Sequence, residues 1–419
     1  MDITTAAAQL ENGIRDAFTT EKLGCHIVKI VRGPHTLTAI LRLYDPNVKS
    51  LRLVNRMGPT IAARAGVRAV RVQSEAGFVY VEAPSPETII VDGSTMQGQG
   101  VVVPVGLSPL RVPVGVDFGK DYHMLFVAPT GGGKTTSMRV VAHHLARQNT
   151  PKQARFIVST FKPKDWRGLA GLAHCGGMIT DVGETVQMVE WLAGMMYKRG
   201  QAMTTTPHIF CFLDDLINLL ERAPELAPTL AEIASLGGGS GVHLVIGTQR
   251  LGNKGTGSSV VAGNITARLV FRTVSAQDAA LFTGRGDTGA ERLGDQPGDG
   301  LLITTTGGVQ RIAVGLVTDD DLALLPAGGD SRPWLGGTAT GTNAGIPPVE
   351  AQNGRSGGDR TGILRFPDRE PTPAEMMALA ALYNRKGSKN KTLKTAYGGK
   401  TPKRLGWLNQ ALETMGVRA

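Results

Sequence analysis

The stretch Ala128-Pro129-Thr130-Gly131-Gly132-Gly133-Lys134-Thr135-Thr136 carries residue types suited to phosphate chemistry, in an order that suits it. Adjacent glycines let backbone N–H groups close round an anion, and a helix beginning near Lys134 aims its positive dipole end at the same point. Lys134 is placed to reach β- and γ-phosphate oxygens, and Thr135 to hold Mg²⁺. Thr130, Gly131, Gly132, Gly133, Lys134, Thr135 and Thr136 are therefore the nucleotide-binding candidates, with ATP and Mg²⁺ as the expected cofactors. Ala128 stands where the pattern usually begins with Gly, outside the phosphate-wrapping turn.

Two more strand ends offer partners for that loop. The apolar run Ile209 to Leu213 ends in Asp214-Asp215. A carboxylate at the end of a buried strand can hold Mg²⁺ through water, and a second can orient an attacking water, so Asp214 is the metal candidate and Asp215 the base candidate. Gly247-Thr248-Gln249-Arg250 ends a further strand, where the Gln249 amide is placed to sense a γ-phosphate. Arg268, Arg272 and Arg311 lie in or beside predicted strands downstream, and spacing alone does not choose which would deliver a guanidinium to a neighbouring subunit.

The elements that must position these residues alternate. Apolar runs at 123–127, 154–159, 208–213, 242–247, 268–272 and 300–304 read as strands, while 137–148, 184–198 and 228–236 have helical periodicity. That alternation predicts an α/β fold with a parallel sheet covered by helices, over residues 96–327. Residues 1–95 read as a separate small α/β domain, with strands at 35–44, 68–72 and 77–83 and a helix over 51–65. From 328 to 369 the composition turns to Gly, Thr, Asn, Ser and Pro, a flexible linker. Residues 370–419 recover helical pattern in three short pieces, as a helix-turn-helix or winged-helix-like module with Trp407 and Leu408 in its core. Lys389, Lys391, Lys400, Lys403 and Arg404 give this module a basic face for a DNA groove.

Bulk properties agree with a polyanionic partner. The 419 residues carry 45 Lys and Arg against 35 Asp and Glu, a net charge of +10. Three cysteines, unevenly spaced, argue against a disulfide framework or a zinc site and for a reducing cytoplasm. The longest apolar candidate, Val101 to Val116, is broken by Pro104, Pro109, Arg111 and Pro113, and the amino terminus does not read as a signal peptide. A soluble protein with no direct membrane insertion is expected.

As a set, these residues resemble the motor domain of the FtsK/SpoIIIE family of DNA translocases. The resemblance runs through the phosphate loop, Phe161-Lys162-Pro163-Lys164, Asp214-Asp215, the block Gly241 to Arg250, Asn264-Ile265 with Arg268, and Gly298-Asp299. It implies a RecA-like P-loop motor that assembles as a hexameric ring, hydrolyses ATP between subunits and moves double-stranded DNA through a central channel. It makes Arg268 the best candidate for the trans-acting finger and Arg311 a second interface residue. It also makes Leu251 to Gly263 a pore loop whose Lys254, Ser258 and Ser259 contact phosphates. Asp215 stands where the family usually has Glu, Lys162 where it usually has Asp, and the membrane segments of the cell-division members are missing. A packaging or conjugative-transfer ATPase, and a DNA-binding protein with weak ATPase, are the alternatives.

Overall fold

The computed structural model describes residues 1–75, 77–252, 257–328, 332–333, 393 and 405–409. The chain opens on the helix α1 (Ile3–Thr20), begun by Asp2, whose carboxylate accepts the Thr4 and Thr5 amides. Then follow β1 (Cys25–Arg32), β2 (Thr36–Leu43), α2 (Val48–Arg56), α3 (Gly58–Ala65), β3 (Arg71–Glu75) and β4 (Phe78–Pro84). The strands form an antiparallel sheet in the order β1-β2-β4-β3. Leu10, Ile14 and Phe18 of α1 pack with Leu41, Ile61 and Val81 in one core. The predicted helix over 51–65 is two helices, because Pro59 follows Gly58 and the chain restarts there.

The second sheet is built from β5 (Val91–Asp92), β6 (Val102–Leu107), β7 (Pro113–Asp117), β8 (Met124–Val127), β9 (Ala154–Thr160), β10 (Cys175–Ile179), β11 (His208–Asp214), β12 (Val242–Thr248), β13 (Ala267–Phe271), β14 (Asp299–Thr304) and β15 (Gly308–Leu316). Its helices are α4 (Lys134–Gln148), α5 (Arg167–Ala170), α6 (Val182–Ala202), α7 (Leu216–Arg222), α8 (Leu226–Leu236), α9 (Gly257–Gly263), α10 (Ala276–Thr283) and α11 (Asp319–Ala323). The order is β10-β9-β11-β12-β8-β13-β14-β15-β6-β7, with β5 beside β15. From β10 to β13 the pairing is parallel, as expected, and from β13 onward to β7 it is antiparallel, a half that hydrophobic alternation did not reveal. Both faces of the parallel half are covered. Phe126, Phe156, Phe210 and Phe212 pack with Met138 and Leu145 of α4 on one side, while Leu125, Val127, Leu213 and Ile246 pack with α6 and α8 on the other. Two-sided burial is why these strands read as continuous apolar runs.

Residues 1–345 form one compact unit and residues 346–419 a second. Within the second, Leu393, Trp407 and Leu408 are buried and 405–409 are helical. Among the described residues no helix is long and apolar enough to cross a membrane.

A buried ionic network ties the small sheet to the large one. Arg311 of β15 donates to Asp299 of β14 at 2.7 and 2.9 Å and to Glu82 of β4 at 3.4 Å. Glu82 also accepts from Arg71 of β3 at 3.1 Å, and Arg71 donates to the Thr288 carbonyl. Burial works against the Arg311 charge, but Asp299 and Glu82 outweigh it and raise the pKa above its ordinary value. Arg311 is 3% exposed, so the expectation of an interface residue gives way to an interior one whose guanidinium is spent on two carboxylates. The variant Arg311→Met should lose about 3–5 kcal/mol in urea unfolding, because it strands two buried acids. An unchanged midpoint would show that the network is dispensable.

At the opposite strand ends from the phosphate loop lie His123, His208 and His243. His243 stacks on Phe210 with centroids 4.5 Å apart and shares hydrogen bonds with His208 and the Tyr122 carbonyl, while His123 accepts the Leu244 amide. Burial lowers the His123 pKa to about 4. Below the ordinary value of 6.5 the unfolded chain takes up a proton that folded His123 refuses, so this group removes stability as pH falls from about 6.5 toward 4. At pH 5 the loss is about 2 kcal/mol. The melting temperature should therefore drop between pH 7 and pH 5, and drop less in His123→Gln.

Candidate nucleotide site

The phosphate loop leaves β8 at Val127 and enters α4 at Lys134, as the strand, glycine loop and helix order requires. Gly131 and Gly133 adopt φ of 81° and 95°, a left-handed backbone that disfavours any side chain. No side chain caps α4, so the amides of its first turn are not engaged by a capping group and suit an anion. Ala128 is buried and its amide bonds the Thr248 carbonyl, so the departure from Gly falls in the core rather than in the turn.

Asp214 gathers the site. Its Oδ1 pairs with Lys134 Nζ at 2.8 Å. Its Oδ2 accepts from Thr135 Oγ1 at 3.3 Å, Thr160 Oγ1 at 3.3 Å and Trp166 Nε1 at 3.0 Å. The Asp214 side chain is 3% exposed, so it needs donors of this number and kind. Gly247 stands beside it because a Cβ there would come within 2.9 Å of the Lys134 stem and of Met138 Sδ.

Asp215, the next residue, takes φ 91° and ψ 68°, unusual for a residue other than glycine. Its amide bonds the Gly247 carbonyl, and its Oδ2 accepts from Asn218 Nδ2 at 2.5 Å and Gln249 Nε2 at 3.2 Å. Gln249 Oε1 in turn accepts from Thr130 Oγ1 at 3.1 Å. A short relay thus runs from the phosphate loop through Gln249 to the Asp215 carboxylate. Strand order explains it, since β12 lies between β8 and β11 and puts Gln249 between the loop and the acids.

Beside these groups lies a cleft of about 410 Å³ lined by Thr130, Lys134, Thr135, Thr136, Gln249, Lys162 and the unforeseen Arg139 and Asp165. Thr160 and Trp166 were also missed, although Pro163 marks the turn that brings Trp166 under Asp214. Arg268 is not at the cleft: its guanidinium donates to the Ala262, Ile265 and Phe282 carbonyls, and burial lowers its pKa. Ser258 and Ser259 lie on α9 rather than in an open loop, and Ser258 Oγ accepts the Gly252 amide. Lys254, Lys389, Lys391, Lys400, Lys403 and Arg404 lie outside the described residues.

Residues 94–207 match the FtsK/SpoIIIE family, which bears out the resemblance carried by the motifs. The chain is 25% identical over 355 residues to the DNA translocase FtsK of Corynebacterium efficiens, covering 74% of this chain and 37% of that protein. It is 27% identical over 249 residues to the ESX-4 secretion system protein EccC4 of Mycobacterium tuberculosis, covering 52% of this chain and 20% of that protein. The chain therefore spans well under half the length of these relatives. Its fold is similar to that of the pCW3 conjugation coupling protein TcpA, solved with ATPγS, with a TM-score of 0.51 at 16% identity, covering 74% of this chain and 96% of that one. The cytoplasmic domain of the Thermomonospora curvata type VII secretion ATPase EccC superposes with a TM-score of 0.50 at 24% identity over 58% of this chain and 34% of that one. The family match holds the phosphate loop, and the fold is similar to those of these two structures.

Asp215→Asn keeps an acceptor for the Gln249 amide but removes the carboxylate of the candidate base. It should lower the ATP turnover number by about 100-fold or more while leaving ATP affinity nearly unchanged, as single-turnover and equilibrium binding measurements would show.

Proposed function

We propose that this chain is an ATP-driven double-stranded DNA translocase that works as a ring, hexameric in this reading, with ATP sites between subunits. The observation that carries it is the Asp214 cluster, which joins the phosphate loop to the acid-bearing strand. The residues present fit a Mg²⁺ nucleotide: an uncapped helix end for phosphates, and a hydroxyl with a carboxylate for a hard cation. Thr135 and Asp214 would hold Mg²⁺, which supplies charge neutralisation at the phosphate oxygens.

With nucleotide bound, Lys134, paired here with Asp214, would turn to the phosphates and leave that carboxylate to hold the cation. Asp215 accepts a proton from the attacking water, and Gln249, bonded to both Asp215 and Thr130, reports on the loop. Arg268 serves the neighbouring subunit in this reading, which requires it to leave its three carbonyl partners. The net charge of +10 supports DNA as the polyanion, with Lys254, Ser258, Ser259 and the basic carboxyl-terminal residues as its contacts. A conjugative-transfer coupling ATPase is the second reading, favoured by the share of the coupling-protein structure that this chain covers.

Double-stranded DNA should raise ATP turnover several-fold in the wild type, and Lys134→Ala should abolish turnover in its presence. Turnover no faster than Lys134→Ala with DNA present would remove the motor reading. DNA-stimulated turnover without displacement of a triplex strand on linear duplex would favour a docked coupling role.

A further inference from the structure

Three cations line the cleft: Lys134, Arg139 and Lys162. Two are engaged. Lys134 pairs with Asp214, and Arg139 donates to the Asp165 carbonyl at 3.2 Å and pairs with Asp319. Lys162 is exposed and has no carboxylate partner among the described residues.

Its backbone, by contrast, is tightly placed. The Lys162 amide donates to Thr160 Oγ1 at 2.9 Å, and Thr160 Oγ1 donates to Asp214. The Lys162 carbonyl accepts the Asp165 amide, which closes the turn Pro163–Trp166, and Trp166 donates to Asp214 as well. The segment carrying Lys162 is thus pinned on both sides to the candidate metal carboxylate. An untethered ammonium on a fixed backbone at the mouth of an anion site is suited to bind charge that arrives with the ligand.

Sheet order says which part of the ligand that is. Thr160 on β9 pairs with Asp214 on β11, and β8 lies two strands farther on. At about 4.8 Å per strand, β9 is roughly 14 Å from the strand that carries the glycine turn. Lys162 therefore lines the cleft from the β9 side, across from the glycine turn that leaves β8, and in the nucleotide reading above that side receives the distal end of a phosphate chain.

We propose that Lys162 is a cis-acting cation for the terminal phosphate, the residue by which this chain tells a nucleoside triphosphate from a diphosphate. The assignment rests on the nucleotide reading above and adds a specificity residue to it. It also places part of the charge stabilisation of the terminal phosphate on the same chain as the loop.

Calorimetric titration of the full chain with Mg²⁺-ATPγS and with Mg²⁺-ADP tests it. Lys162→Ala should weaken ATPγS binding about tenfold and leave ADP binding within about twofold. Lys162→Arg should restore most of the difference, and Lys162→Asp should widen it. Unchanged ADP affinity also shows that the variant folds. Equal losses for both nucleotides, or none for either, would overturn the assignment while leaving the nucleotide site intact. A wild-type chain that binds neither nucleotide would instead overturn the nucleotide reading itself, and the assignment with it.

Discussion

One buried carboxylate organises the phosphate-loop end of the sheet. Asp214 receives Lys134 and Thr135 from the phosphate loop and α4, Thr160 from the end of β9, and Trp166 from the turn beyond it. A carboxyl removed from water must be met by donors, and these come from two separate stretches of chain, the start of α4 and the end of β9 with the turn beyond it. Satisfying that one group therefore fixes the loop, the helix start and the turn relative to β11.

Beside it, Asp215 shows how backbone geometry divides labour between neighbouring acids. Consecutive residues on a strand point to opposite faces, which would carry Asp215 away from the cleft. The left-handed conformation at Asp215 ends the strand and begins α7, and the hydrogen bonds from Asn218 and Gln249 hold the carboxylate there. The Asp215 carboxylate is thus joined to the phosphate loop through the Gln249 amide.

The antiparallel half of the sheet has a different task. Arg311 and Asp299 link β14 and β15 to Glu82 of the small sheet, and Gly298, next to Asp299, lies against Gly133 of the phosphate loop. A Cβ on Gly133 would stand 3.4 Å from the Gly298 amide. The small sheet is thereby braced against the strand that backs the glycine turn. Buried ion pairs of this kind are costly to break from one side, which favours a rigid junction.

The sequence by itself determined the phosphate loop, the two acids, Gln249 and the parallel strands that bear them. Each of these is local: a glycine run, a carboxylate ending an apolar run, and apolar segments bounded by turns. The first eighteen-residue helix, β1, β10, β6, β7, β15 and the antiparallel pairing of the predicted strand at 300–304 escaped that reading. Glycine-rich Cys175–Ile179 has weak β signal, and β6 and β7 contain prolines that break the pattern. Only tertiary structure decided which arginines are available. Arg311 and Arg268 look alike in sequence, yet one neutralises buried acids and the other caps carbonyls of its own chain. Thr160, Trp166 and Lys162 join the site only because β9 pairs with β11, and a pairing between segments more than fifty residues apart is a property of the folded sheet, not of any local run.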